Sequence, residues 1–183
     1  MQRLILSALF LLTTTLIAAN PPQPDVGTKA ADFTLKTVDG KAVKLGDLTS
    51  QGSVVLVVLR GYPGYQCPFC NRQAQDFIQK AADFSKAGAQ VVLVYPGPPQ
   101  ETNAKAAEFL SNKQMPANFT LLLDPGYEFT NAWGLRWDAA NETAYPSTFL
   151  IDGSGTIYFS KVVKSHGGRT SAAEIVSMLP KPR

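Results

Sequence analysis

The chain is poor in cysteine, histidine and charge. Two cysteines and one histidine among 183 residues fall short of the four N, O or S ligands a structural zinc takes. They also fall short of a multi-bridge disulfide framework. Neither a metal nor an organic cofactor is therefore expected. The net charge is only +3, charged residues make up 17% of the chain, and no long basic or acidic run occurs, which argues against a nucleic-acid partner. There is no internal repeat and no low-complexity tract. Nor is there a membrane-length apolar run: Leu4 to Ala19, interrupted by three threonines, is a few residues short of the roughly 20 a spanning helix needs.

That apolar run follows the positive start Met1-Gln2-Arg3 and ends in Ile17-Ala18-Ala19, ahead of Asn20-Pro21-Pro22-Gln23-Pro24. A short basic region, an apolar stretch and small residues together read as a cleaved secretory signal. An uncleaved N-terminal anchor is the alternative and the only membrane contact expected. The expected organisation is a signal over 1–19, a Pro-rich mature start over 20–30 and one domain over 31–183. The expected location is secreted or periplasmic, where oxidised thiols persist.

What the chain does have is Cys67-Pro68-Phe69-Cys70. It follows the apolar run Val54–Leu59 and a Gly/Pro/Tyr bend, and it opens an amphipathic segment. Side chains at i and i+3 of a helix are neighbours, within a small adjustment of disulfide distance. The positive end of the helix dipole and its free N–H groups favour a thiolate at Cys67. The pattern points to dithiol–disulfide exchange at a solvent-reachable helix start. A structural staple closing so short a loop, a pair of inert buried thiols and half a zinc site are the alternatives.

The rest of the chain alternates strands and helices. Phe33, Leu35 and Thr37 alternate into Asp39-Gly40, with Val43 and Leu45 returning, as in a hairpin. Val54–Leu59 and Val91–Tyr95 are apolar throughout, as strands covered on both faces are; Pro96 is expected to stop the second. Cys70, Ala74, Phe77, Ile78, Ala81 and Phe84 form one helical stripe, and a helix is expected over about Glu101–Asn112. Phe119–Leu123 is another strand, a short helix carries Phe129, Ala132 and Trp133, and Pro146–Asp152 and Thr156–Val163 form a late hairpin. Ser171-Ala172-Ala173-Glu174 is a capping box. The expected fold is α/β: a central mixed sheet with helices on both faces and an N-terminal β-hairpin. Sites in such sheets lie at the carboxyl ends of strands, where Cys67 falls.

Strand, CxxC and helix, followed by Tyr145-Pro146-Ser147-Thr148 ahead of a strand, resemble the thioredoxin fold. The segments Val26–Leu35 and Pro146–Gly153 resemble its alkyl hydroperoxide reductase/thiol-specific antioxidant branch, the peroxiredoxin-like proteins, over roughly Pro24 to Leu179. The resemblance implies that Cys67 attacks and Cys70 resolves. It also implies that Pro146 is a cis proline facing the motif, leaving the Tyr145 backbone free to bind an extended substrate. Peroxiredoxins carry a proline, a threonine four residues on and the peroxide-attacking cysteine three beyond that. Here the spacing lands on Pro63, Cys67 and Cys70, which would make Cys70 the peroxidatic residue. The family's arginine ahead of the Ser-Thr-Phe strand is replaced by Pro146, leaving Arg60 or Arg136 to stand in. Thioredoxins have a tryptophan where this chain has Gln66, and a buried acid absent from Val54–Leu59, so proton handling passes to water, Tyr62 or Tyr65. The implied partners are a protein disulfide or a hydroperoxide and an external thiol reductant. The implied activity is that of a thiol-dependent oxidoreductase: a disulfide oxidoreductase, or else a peroxidase acting through Cys70. A secreted interaction module with a structural disulfide is the reading from another class. His166 in its glycine-rich loop is expected to face solvent, and Trp133 and Trp137 to serve in packing.

Overall fold

The computed structural model describes residues 21–181; the expected signal over 1–19 lies outside them. No helix among the described residues is long and apolar enough to cross a membrane.

Alternation across Thr34–Lys36 (β1) and Ala42–Lys44 (β2) makes the expected hairpin. It leads into a short helix, Leu45–Thr49 (α1), that the hairpin pattern does not announce. Ser53–Val58 (β3) is buried from its second residue onward. The thiol motif then opens Pro68–Gln79 (α2). The expected single stripe down to Phe84 is broken at Lys80, whose φ of −101° and ψ of 13° end α2 before Ala81–Lys86 (α3) begins. The stripe survives the break because Phe77 and Phe84 still stack, with centroids 5.4 Å apart.

Ala89–Gly97 (β4) runs past Pro96, which pairs with Asp124. The expected stop there fails for a local reason: the Pro96 carbonyl still accepts the Tyr62 N–H at 3.0 Å, so the strand continues without that residue's own donor. Thr102–Leu110 (α4), Phe119–Pro125 (β5) and Glu128–Ala132 (α5) follow. Ser147–Ile151 (β6) and Ile157–Val162 (β7) form the late hairpin, and Ala172–Met178 (α6) closes the chain with both bonds of its capping box made.

The seven strands lie in the order β2-β1-β5-β4-β3-β6-β7. β3, β4 and β5 are parallel and the flanking pairs antiparallel. Alternate residues of each central strand face opposite layers. Val55, Val57 and Leu59 meet Phe77, Phe84, Phe109 and Ile175 of α2, α3, α4 and α6. Val54, Leu56 and Val58 meet Leu48, Phe129 and Trp133 on the α1/α5 side. Each such fully buried side chain contributes roughly 1.5–3 kcal/mol relative to exposure, so the central strands are the rigid part of the molecule. Residues ahead of β1 lie along β7: Gly27 N–H donates to Ile157 O at 2.8 Å, and Ser160 Oγ donates to Pro24 O at 2.9 Å.

Candidate active site

The rigid centre delivers the motif at the carboxyl end of β3. Leu59 N–H donates to Val94 O at 2.9 Å, which keeps the chain against β4 one residue past the strand. At Gly61 the chain turns with φ +65°, and a Cβ there would run into the Pro96 carbonyl; only glycine fits this close approach. Cys67, extended at φ −70° and ψ 114°, caps α2, and Pro68 takes the first helical position, where its missing N–H costs nothing. Cys67 Sγ accepts the Cys70 N–H at 3.4 Å, so the sulfur does what a capping oxygen does elsewhere.

The two thiols are electrostatically unequal. The Cys67 thiol is pulled well below its ordinary value, first of all by the Cys70 thiol hydrogen-bonding to it. Burial opposes this, while the Cys70 N–H, the positive charge of Arg169 and the guanidinium of Arg60 add to it. Cys70 moves the other way: burial, and then its bond to Cys67, push its thiol well above the ordinary value. Cys67 is thus the thiolate of the pair and Cys70 holds the proton.

Both sulfurs are covered, Cys67 at 1% and Cys70 at 0% exposure, against the expectation of a solvent-reachable pair. The capping geometry is the cause: the Cys67 side chain folds back over its own helix. Arg169 then closes on it, with Nη2 4.0 Å from Sγ and Nη1 donating to Gln73 Oε1 at 3.1 Å.

Arg60 is buried. Its Nε is paired with Glu142, Nη1 donates to the Tyr65 hydroxyl at 2.7 Å, and Nη2 donates to Asn141 O at 2.6 Å. It is among the groups that favour the Cys67 thiolate. Arg136 is not. It donates to the carbonyls of Trp137 and Thr143, each at 2.5 Å, lies over the Tyr127 ring and pairs with Asp138. Its place is in the chain's corner, not at the thiols.

Pro146 lies at the expected end of the sheet, because Ser147 pairs with Val58. Its peptide bond, however, is trans, and no cis bond occurs among the described residues. The chain enters β6 already extended: Ala144 is bridged to Arg136, and Val163 N–H donates to Pro146 O at 2.9 Å. Nor is the Tyr145 backbone free for a substrate. Its N–H donates to Leu135 O at 2.8 Å, and its carbonyl accepts Ser147 Oγ at 2.8 Å. The Tyr145 ring stacks on Trp137, 5.1 Å away. Pro63 lies half-buried in the bend before Cys67.

The AhpC/TSA family model matches residues 26–160. A candidate peroxiredoxin of Mycobacterium tuberculosis is 35% identical over 147 residues, spanning 77% of this chain and 87% of that protein. The chain belongs to the AhpC/TSA family. It is a thiol-dependent oxidoreductase of the peroxiredoxin-like group. Solved structures agree on the fold. The peroxidoxin BcpB of M. tuberculosis superposes with a TM-score of 0.64 at 24% identity, over 85% of this chain and 92% of that one. A candidate thiol:disulfide interchange protein, DsbE, from Chlorobium tepidum gives 0.59 at 28% identity, over 78% and 89%.

Within this AhpC/TSA protein one guanidinium at the sulfur comes from a residue that motif spacing does not mark. Arg169 lies beyond β7, in Gly167-Gly168-Arg169, and Arg169 Nε donates to His166 O at 3.1 Å. His166, expected in solvent, bonds Glu142 Oε1 at 2.8 Å and lies beside Trp137 and Phe69. Glu142 therefore joins Arg60 to His166, a link invisible in sequence because the three are far apart along the chain. Tyr95, also unmarked, donates to Gln66 Oε1 at 2.9 Å. Burial above all holds its hydroxyl protonated.

Proposed function

We propose that this AhpC/TSA protein is an exported dithiol–disulfide oxidoreductase in which Cys67 attacks and Cys70 resolves. The observation that carries the reading is the unequal pair: Cys67 at the helix cap, its sulfur accepting the Cys70 N–H at 3.4 Å and favoured as thiolate, and a fully buried Cys70 favoured as the thiol. A lowered attacking thiol next to a protonated resolving thiol is what exchange needs. The likeness to the C. tepidum interchange protein supports the same chemistry. Export rests on the residues 1–19 pattern alone.

The Cys67 thiolate attacks one sulfur of a substrate disulfide, forming a mixed disulfide and expelling the other half as thiolate. Cys70 then attacks Cys67 Sγ, its proton passing to the departing thiolate. The enzyme pair is oxidised, the substrate is reduced by two electrons, and two equivalents of an external thiol, themselves joined as a disulfide, restore the dithiol.

The peroxide reading shifts within the same geometry. With Cys70 held as a thiol, a hydroperoxide would be met by the Cys67 thiolate, beside Arg169 and Arg60, and not by Cys70. Insulin-disulfide and hydrogen peroxide assays on Cys67→Ser and Cys70→Ser test both readings. Loss of all activity in Cys67→Ser, with a trapped mixed disulfide in Cys70→Ser, is expected. Peroxide consumption that survives in Cys67→Ser would return the role to Cys70. A Cys67–Cys70 bridge below roughly −300 mV would mark a permanent staple instead.

A further inference from the structure

A cleft of about 320 Å³ lies between the first turns of α2 and the segment after β7, lined by Phe69, Arg72, Gln73, Asp76, Arg169 and Thr170 among others. Its charge is positive on balance, with two arginines against one carboxylate. Arg72 lies over the Phe69 ring with its guanidinium carbon 4.6 Å from the centroid. Neither Arg72 nor Arg169 has a carboxylate within 4.0 Å among the described residues. The one acid in the lining, Asp76, is committed elsewhere: its Oδ2 accepts the Ala172 N–H at 2.6 Å. Arg169 also reaches from the cleft to the sulfur, with Nη1 on Gln73 and Nη2 4.0 Å from Cys67 Sγ. The volume is at the low end for small-molecule sites, suited to half of a small disulfide.

We propose that this cleft admits low-molecular-weight disulfides bearing a carboxylate beside the sulfur bond, held by Arg72 and Arg169. The inference rests on the dithiol reading above and names its substrate class. An approaching carboxylate finds Arg72 without an anionic partner and Arg169 facing only the Cys67 thiolate, and a carboxylate–guanidinium pair is among the strongest hydrogen-bonded contacts. The chemistry then completes the arrangement. Attack converts the Cys67 thiolate into a neutral mixed disulfide and expels one half of the substrate as thiolate. Arg169 thereby loses its anionic neighbour and becomes free to hold the carboxylate of the half that remains. Cys70 displaces that half as a second thiolate, which takes the Cys70 proton.

The test measures how fast the reduced enzyme is oxidised by three disulfides: dithiodipropionate (anionic), hydroxyethyl disulfide (neutral) and cystamine (cationic). Each rate is normalised to the same reagent's reaction with a small free dithiol. The anion is expected to lead the cation by about tenfold at low ionic strength, with the gap shrinking as salt screens it. Arg72→Glu should invert that ratio. Lys86→Glu, an equal change in net charge at the opposite end of the sheet, should leave it standing. Equal normalised rates, or a preference that survives Arg72→Glu, would overturn the inference and leave the dithiol reading intact. Failure of all three disulfides to oxidise an alkylatable Cys67 would overturn both.

Discussion

At the scale of single residues, function comes down to why two chemically identical side chains behave differently. Both border the apolar layer, but Cys67 is a helix cap whose sulfur accepts the Cys70 N–H, with Arg169 beside it, whereas Cys70 is one turn inside and fully buried. Position in the helix therefore sets which sulfur is ionised. Arg169 is the test of how much is owed to charge beyond the helix. Removing an opposite charge at this range should raise the pH at which Cys67 ionises. Arg169→Gln should show this in the pH dependence of iodoacetamide labelling or of thiolate absorbance, with Arg169→Lys recovering part of the effect. An unchanged profile would leave the helix cap and Cys70 as the whole cause. The cysteine pair was legible because three-residue spacing and a preceding apolar strand carry their meaning locally. Arg169 was not, because it sits 102 positions away in a glycine-rich turn whose path the local sequence does not specify.

At the scale of elements, the site depends on how β3 hands the chain to α2. The order of strands and helices, the capping box at Ser171 and the covered central strands were all readable, since periodicity and caps are written in neighbouring residues. The break at Lys80, helix α1 and the trans Tyr145–Pro146 bond were not, since each is settled by what packs or pairs across the sheet. Gly61 is the element-scale position most exposed to test. Gly61→Ala would impose a side chain at φ +65° against the Pro96 carbonyl. Strain of this kind costs about 1–3 kcal/mol, with a further cost if the Tyr62 N–H bond to Pro96 O is lost. Chemical denaturation should show that destabilisation. The same variant should also slow Cys67 labelling, because the bend positions the α2 cap. A folded, destabilised protein with normal labelling would mean that the bend and the cap are mechanically independent.

For the whole molecule, the thiolate couples redox state to stability. In the reduced protein the folded state lowers the Cys67 ionisation below its free value of about 8.5. That contribution to stability is fully present above the free value and is lost as pH falls through the lowered one. Cys70 has the opposite sign: its raised thiol contributes fully below the free value and loses that contribution only as pH rises through its folded one. Between neutral and mildly acidic pH only the Cys67 contribution therefore changes, and oxidation, which ties both sulfurs in a bond, abolishes it. The melting temperature of the reduced form minus that of the oxidised form should accordingly fall as pH is lowered from about 8 toward 5. The scale is about 2–4 °C for each 1 kcal/mol in a protein of this size. Calorimetry on both forms across that range checks the slope. Reduced Cys67→Ser should lack the wild-type thiolate contribution, whereas reduced Cys70→Ser should keep a weakened version, having lost the thiol that most favours the Cys67 anion. A pH-independent gap in the wild type would mean that folding does not bias Cys67 toward its anion, and the unequal pair on which exchange chemistry depends would go with it.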